Sequence, residues 1–149
     1  MDGRSPIRFF QAMLAVAGVV VAALLTSFHY SAQANERLCS AAGGCGAVND
    51  STFSAIGPIP VAALGLGAYV AVLALLAWAW RGGRLASWVP LGVFTVGLIG
   101  VLFSAYLTYL ELYVIHALCP WCLMSALLIT LIWVLSLFDL RSVGAFARA

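Results

Sequence analysis

Four long apolar runs, separated by shorter polar segments, dominate the pattern of hydrophobic and polar positions along the chain. They cover about residues 9–29, 60–80, 89–115 and 121–139. Each run is close to the roughly 20 residues that an α-helix needs to cross the hydrocarbon core of a bilayer. The pattern therefore predicts an all-α membrane protein, in which residues 1–149 form a single domain built on a four-transmembrane-helix bundle.

The first run admits a second interpretation, because Ala32-Gln33-Ala34 follows it and fits the A-x-A cleavage site of a secretory signal peptide. The run is, however, longer than the apolar region of a usual signal peptide. A retained transmembrane helix is therefore the favoured interpretation, and cleavage after the first run is the alternative.

The composition excludes a soluble fold and a nucleic-acid-binding surface. Hydrophobic residues make up 64% of the chain, charged residues make up 8%, and the mean hydropathy is +1.09. A soluble domain of this length cannot hide so much apolar surface from water. All seven basic residues are arginines, scattered singly or in pairs rather than gathered in a patch. The arginines therefore indicate membrane orientation rather than a polyanionic partner.

The placement of the arginines predicts the sidedness of the bundle. With four helices, both termini and the loop at residues 81–84 lie on one side of the membrane, and that side carries six arginines against Arg37 alone on the other. Because arginine-rich loops stay in the cytoplasm, both termini are predicted to be cytoplasmic. The long polar loop at residues 31–58 and the short turn before the fourth run then face outward, in a bacterial plasma membrane or an ER-like membrane.

All four cysteines fall in these two outward-facing segments, where disulfides persist. One pair is the motif Cys119-Pro120-Trp121-Cys122 at the start of the fourth run. Two thiols at this spacing can cycle between dithiol and disulfide, and Pro120 suits the first turn of a helix, so Cys119 is a candidate N-cap. The unpaired N–H groups and positive end of a helix favour a thiolate there. The alternative is a pair of buried cysteines that act as small apolar residues.

The second pair, Cys39 and Cys45, encloses a flexible segment with two glycines. The pair is interpreted as a shuttle, in which one cysteine meets an external dithiol and the other passes electrons to Cys119 or Cys122. A permanent disulfide that staples the loop is the alternative. Zinc binding by the four cysteines is disfavoured, because their spacing matches zinc motifs poorly, and we expect no metal site.

The third run carries a stripe of small and polar residues, made up of Gly97, Gly100, Ser104, Thr108 and Glu111. Their spacing places them on one face of a helix, which should contact other helices or a cavity rather than lipid. Glu111 is an acidic residue well inside a predicted membrane helix, and such a carboxyl group is a functional candidate. The alternative is helix packing, with the acid reaching the headgroup layer.

Electrons that leave a dithiol need an acceptor, and the chain has no glycine-rich motif for a flavin or nicotinamide cofactor. A lipid-soluble two-electron acceptor fits a thiol pair at the membrane surface. A quinone is therefore the predicted cofactor.

Taken together, these motifs resemble the vitamin K epoxide reductase family in its bacterial form, over roughly residues 14–136. The matching stretches are Cys39-x5-Cys45, Ser51 six residues later, Gly57-Pro58-Ile59-Pro60-Val61-Ala62, and Ser104-Ala105-Tyr106-Leu107-Thr108-Tyr109-Leu110-Glu111 running into Cys119-Pro120-Trp121-Cys122. The resemblance implies a four-helix bundle around a quinone, menaquinone or ubiquinone. It also implies a functional counterpart of the quinone reductase of disulfide-bond formation.

The resemblance further implies a role for each cysteine. Cys39 would exchange with a thioredoxin-like disulfide oxidase, Cys45 would form a transient bond to Cys119, and Cys122 would reduce the quinone. The partner is expected to be a separate protein, because this chain ends at Ala149 without a thioredoxin-like domain.

Two further residues are candidates for the quinone site. The resemblance implies that Ser51 helps to hold the outer loop over the mouth of the bundle, and Glu111 is a candidate for the cavity wall. The expected function is therefore a membrane thiol oxidoreductase that reoxidises a periplasmic disulfide donor and reduces a quinone.

Two other functions stay open. One is a dithiol-driven reductase of a quinone or quinone epoxide, although Ser125-Ala126-Leu127 stands where vertebrate members carry Thr-Tyr-Ala and argues against epoxide chemistry. The other is a structural membrane protein whose disulfides staple its outer loops.

Overall fold

The structure, a computed structural model, describes residues 5–31, 33 and 43–147. Cys39, the surrounding residues 34–42 and the predicted cleavage-site residues Ala32 and Ala34 lie outside these ranges. The described helices are α1 (Ser5–Tyr30), α2 (Cys45–Asn49), α3 (Val61–Arg81), α4 (Val89–Leu110) and α5 (Pro120–Ala147). A 3₁₀ turn at Arg84–Ser87 joins α3 to α4, and a π-helical turn at Glu111–Ile115 extends α4.

Four of the described helices are long and apolar enough to cross a membrane, which confirms the predicted architecture. The candidate spans are Pro6–Ser27, Val61–Arg81, Val89–Ile115 and Pro120–Arg141. Their outward faces carry large apolar side chains such as Phe10, Ile99 and Leu127, as lipid contact requires. The helices themselves run further than the apolar runs, with α5 continuing to Ala147, because backbone hydrogen bonding does not stop where hydropathy falls. The sidedness of the bundle stays a prediction from the arginines.

The four long helices close into a ring. α1 packs against α3 and α5, and α4 packs against the same two helices. Small residues allow the close approaches: Gly18 of α1 lies under the ring of Tyr69, and a Cβ added at Gly97 of α4 would lie 3.1 Å from the Cβ atom of Trp133. Close packing of small residues is the usual means of helix association in membranes. The glycines of the third-run stripe therefore face another helix, as their spacing indicated.

A buried ion pair joins the first and last long helices at the end of α5 that lies away from the cysteines. Arg8 Nε lies 3.3 Å from Asp139 Oδ2, with 13% and 3% of the two side chains exposed. One turn along α1, the amide of Gln11 donates to the carbonyl of Ile132 at 3.4 Å. Buried ion pairs add little net stability, but an alignment of the helices that broke them would leave a buried charge without a partner. We therefore interpret these contacts as fixing the axial alignment of α1 against α5.

The described part of the loop at residues 31–58 contains short elements at one end of the bundle. β1 (Ala55–Ile56) and β2 (Ile59–Pro60) form an antiparallel hairpin. Gly57 begins its turn with a φ of 63°, in the left-handed region that favours glycine. The N–H of Val61 donates to the carbonyl of Ser54 at 2.8 Å, which ties the hairpin to the start of α3. The hairpin and α2 thus cover the mouth of the bundle.

Candidate active site

The chain reverses direction sharply between α4 and α5. The π-helical turn Glu111–Ile115 ends at His116, whose φ of 55° and ψ of 32° place it in the left-handed region. The N–H of Ala117 then donates back to the carbonyl of Glu111 at 3.0 Å. π turns inside longer helices occur often at functional sites. Here the turn returns the chain to Glu111, and the N–H of Cys119 donates to Glu111 Oε2 at 3.2 Å.

Cys119 occupies the N-cap position of α5. The helix begins at Pro120, which has no N–H to leave unsatisfied. The N–H of Cys122, three residues after Cys119, donates to Cys119 Sγ at 3.4 Å. The structure thus places the cysteine at the positive end of the helix, as expected from the proline that follows it.

A sulfur atom of the loop at residues 31–58 lies against this N-cap. Cys45 begins α2, and its Sγ lies 2.8 Å from Cys119 Sγ, although 74 residues separate the two cysteines. Each of the two side chains is 1% exposed, and Leu25, Val48 and Trp121 pack around them. Gly44 makes the approach possible, because a Cβ at this position would overlap the carbonyl of Leu118. The spacing of the cysteines along the chain did not show which loop cysteine would meet which motif cysteine.

The surroundings of Cys119 stabilise its thiolate. The pKa of the Cys119 thiol is lowered from its ordinary value of 9.0 to about 7, chiefly by the hydrogen bond from the Cys122 side chain, with smaller lowering contributions from the side chain of Cys45 and the N–H of Cys122. Burial and the charge of Glu111 act in the opposite direction. A thiol with a pKa near neutrality is a good attacking and leaving group at once.

We expect the alkylation of reduced Cys119 to follow this pKa. Since the thiolate reacts, the rate with iodoacetamide should rise with pH through a midpoint near 7. In a Cys122→Ala variant the midpoint should move upward, towards 9.0, because the largest lowering contribution is lost. Peptide mass spectrometry with fragmentation assigns the label to Cys119. An unchanged midpoint in the variant would show that Cys122 does not stabilise the thiolate.

A cavity opens beside the two motif cysteines. It has a volume of about 140 Å³, comparable with the roughly 150 Å³ of an apolar cavity that admits a benzene ring. Its walls are mainly apolar, with Phe53 and Phe103 as the aromatic members. The predicted site residues among its lining are Cys45, Ser51, Glu111, Cys119 and Cys122. The cavity therefore suits an apolar ring with a few polar groups, such as a quinone head.

Sequence analysis missed part of the cavity. Ser104 and Thr108 line it, and their place in the stripe beside Glu111 was the signal that could have assigned them. Ser125 also lines it, and the hydroxyl of Tyr69 donates to the Ser125 carbonyl at 2.7 Å. Phe53 and Phe103 gave no signal, because an apolar residue in a membrane protein has no distinguishing pattern. Ser51 turns its hydroxyl towards the Val48 carbonyl at 2.7 Å, which braces the end of α2.

One carboxyl group lies among the thiols and apolar side chains of the cavity wall. Among the lining residues in the described part of the chain, Glu111 alone has an acidic or basic side chain, and it is 3% exposed. Within the same part, no group of three or more histidine, cysteine, aspartate or glutamate side chains is arranged to hold a metal ion. The ionisable groups of the described cavity wall are thus the cysteine thiols and one carboxyl group.

Comparison with known proteins agrees with the motifs. A family model described as the vitamin K epoxide reductase family matches residues 9–137. The comparison with curated proteins gives no match. The family match covers most of the chain, including the two middle candidate spans, most of the first and last spans, and both cysteine pairs. It confirms the resemblance seen in the sequence.

Proposed function

Because the chain belongs to the vitamin K epoxide reductase family, we propose that it reoxidises a thioredoxin-like disulfide donor and passes the electrons through two cysteine pairs to a quinone. The family is one of membrane redox enzymes linked to quinones. The proposal adds the direction of electron flow, the partner and the order of the cysteines. It makes the protein a source of disulfide bonds on the outer face of a bacterial plasma membrane.

One observation carries the proposal: the 2.8 Å between Cys45 Sγ and Cys119 Sγ. Two sulfur atoms this close need almost no movement to form a bond. They lie in a buried pocket, and Cys122 follows one turn later on the wall of the cavity. This arrangement is what thiol–disulfide exchange between a loop and a helix end requires.

The relay then runs in defined steps. The partner's dithiol reduces the Cys39–Cys45 disulfide, and the freed Cys45 thiolate attacks Cys119. The Cys45–Cys119 bond forms, the Cys119–Cys122 bond breaks, and its electron pair goes to the Cys122 sulfur. Cys39 next attacks Cys45, which closes the loop disulfide again and releases the Cys119 thiolate. The step from the partner to Cys39 follows from the family resemblance.

A quinone in the cavity would supply the two-electron acceptor for the Cys119–Cys122 dithiol. Cys122, Glu111 and Ser51 would hold its head from the polar side, and Phe53 and Phe103 would pack on its ring. Menaquinone and ubiquinone both present such a head. The mainly apolar walls would hold the ring of the acceptor beside the dithiol.

The relay is tested by turnover of the purified full chain in detergent, with a water-soluble quinone and two alternative reductants. Wild type should reduce the quinone with a reduced thioredoxin-like protein and with dithiothreitol. Cys45→Ala should lower turnover with the protein donor by about 100-fold or more, because the sulfur that bridges to Cys119 is gone. The same variant should keep turnover with dithiothreitol, which reaches Cys119 directly.

The second reductant is the internal control for folding and for the quinone step. Equal loss of turnover with both reductants would contradict the order of the relay. A wild-type protein that reduces no quinone with either reductant would contradict the proposed function itself.

A further inference from the structure

Glu111 is a buried acid without a basic neighbour on the cavity wall. Its side chain is 3% exposed, and none of the described lining residues is an arginine, a lysine or a histidine. A charged carboxylate in such surroundings is costly. A neutral amide could accept the hydrogen bond from Cys119 equally well. An acid at this position therefore indicates a role beyond accepting the N–H of Cys119.

The contacts of Glu111 point to the sulfur of Cys122. Oε2 accepts the N–H of Cys119 at 3.2 Å, which fixes the carboxyl group beside the start of α5. Cys119 Sγ lies 2.8 Å from Cys45 Sγ and accepts the N–H of Cys122 at 3.4 Å. The Cys122 side chain lies within hydrogen-bonding reach of the Glu111 carboxyl group. Carboxyl and thiol thus meet on the wall of the same cavity.

We propose that Glu111 exchanges a proton with the Cys122 sulfur during the relay. When a thiolate attacks Cys119, the Cys119–Cys122 bond breaks and the Cys122 sulfur gains an electron pair. The Glu111 carboxylic acid donates its proton to this sulfur, so that Cys122 leaves as a thiol and Glu111 becomes a carboxylate. When the dithiol is oxidised and Cys122 bonds to Cys119 again, the two electrons pass to the quinone of the proposed relay, and Glu111 takes back the proton that leaves Cys122.

The physical reason is the cost of two adjacent negative charges in a site of low dielectric constant. A Cys122 thiolate and a Glu111 carboxylate would repel each other strongly. One proton shared between the two groups leaves a single negative charge. Among the described residues, the titratable groups that line the cavity with Glu111 are Cys45 from the loop at residues 31–58, and Cys119 and Cys122 at the start of α5. His116 follows on the same turn and is exposed.

This inference rests on the proposed relay, so the test isolates one step of it. The full chain with Cys39→Ala and Cys45→Ala is purified without quinone and with Cys119–Cys122 oxidised. An external thiol, 2-mercaptoethanol, takes the place of Cys45 and attacks Cys119. Quenched-flow alkylation and mass spectrometry then follow the appearance of the Cys122 thiol. In this background Glu111 is the titrating group of the site, because Cys119 and Cys122 are in a disulfide.

The rate constant is divided by the concentration of the 2-mercaptoethanol thiolate at each pH. In the Glu111 protein this corrected rate should fall as the pH rises, since Glu111 loses the proton that it donates. Glu111→Gln keeps an oxygen for the N–H of Cys119 but cannot donate a proton. It should give a flat profile about 100-fold below the low-pH rate of the parent, the lower end of the usual contribution of a general acid.

Two variants separate proton transfer from packing. Glu111→Asp should recover part of the rate and the falling profile, whereas Thr108→Val, which alters the same wall, should keep the falling profile. A Glu111→Gln protein with the parent's rate and profile would overturn the inference and leave the relay standing. An oxidised parent that does not react with the thiol at all would overturn the relay and the inference together.

Discussion

A Cys122→Ala variant should lose quinone reduction completely, both with a thioredoxin-like donor and with dithiothreitol. Cys122 is the motif cysteine that follows Cys119 on the cavity wall, and Cys119 lies against Cys45. Without Cys122 the disulfide between Cys119 and Cys122 at the start of α5 cannot form. No electron pair can then leave this motif for an acceptor in the cavity. Formation of quinol, followed by absorbance in detergent, measures the effect.

The same variant should accumulate a Cys45–Cys119 disulfide. Cys119 can still attack the oxidised loop pair at Cys45, and Cys122 is no longer present to release the product. Peptide mapping without reduction detects this species and shows that the variant is folded. Retained turnover in Cys122→Ala would favour the structural alternative, in which disulfides only staple the outer loops.

Gly44→Ala should lower turnover with the protein donor by about 10-fold to 100-fold while turnover with dithiothreitol continues. Gly44 has a φ of 55°, and a Cβ there would overlap the backbone carbonyl of Leu118. A side-chain rotation relieves neither the positive φ nor this overlap, because the backbone fixes the position of Cβ and the atom that it meets is a backbone carbonyl oxygen. The loop must therefore move away from the start of α5 and take Cys45 out of reach of Cys119.

Neighbouring glycines provide the matched controls. Gly43 has a similar φ of 60° but no atom within 4 Å of an added Cβ, and Gly46 has neither constraint. Gly43→Ala therefore reports the backbone strain alone, and Gly46→Ala reports an added methyl group alone. We expect both to keep more turnover with the protein donor than Gly44→Ala. Losses as large in Gly43→Ala as in Gly44→Ala would show that loop strain matters, and not the contact with Leu118.

Local patterns determined the framework of this protein. The four helices follow from four apolar runs, because a helix is one of few structures that satisfy the backbone inside a bilayer. The N-cap position of Cys119 follows from Pro120, since proline fits only the first turn of a helix without cost. The contact of Gly97 with α5 follows from the small-residue stripe. Each of these features depends on residues a few positions apart.

The tertiary structure decided how the reactive groups meet. The pairing of Cys45 with Cys119 joins residues 74 positions apart, and it depends on the close approach of Gly44 to Leu118. The hydrogen bond from the N–H of Cys119 to Glu111 depends on a π-helical turn and on the left-handed conformation of His116. The continuous apolar character of the third run indicated neither feature. Local sequence sets helix formation and membrane insertion, whereas contacts between distant segments arise only when the packed helices bring their ends together.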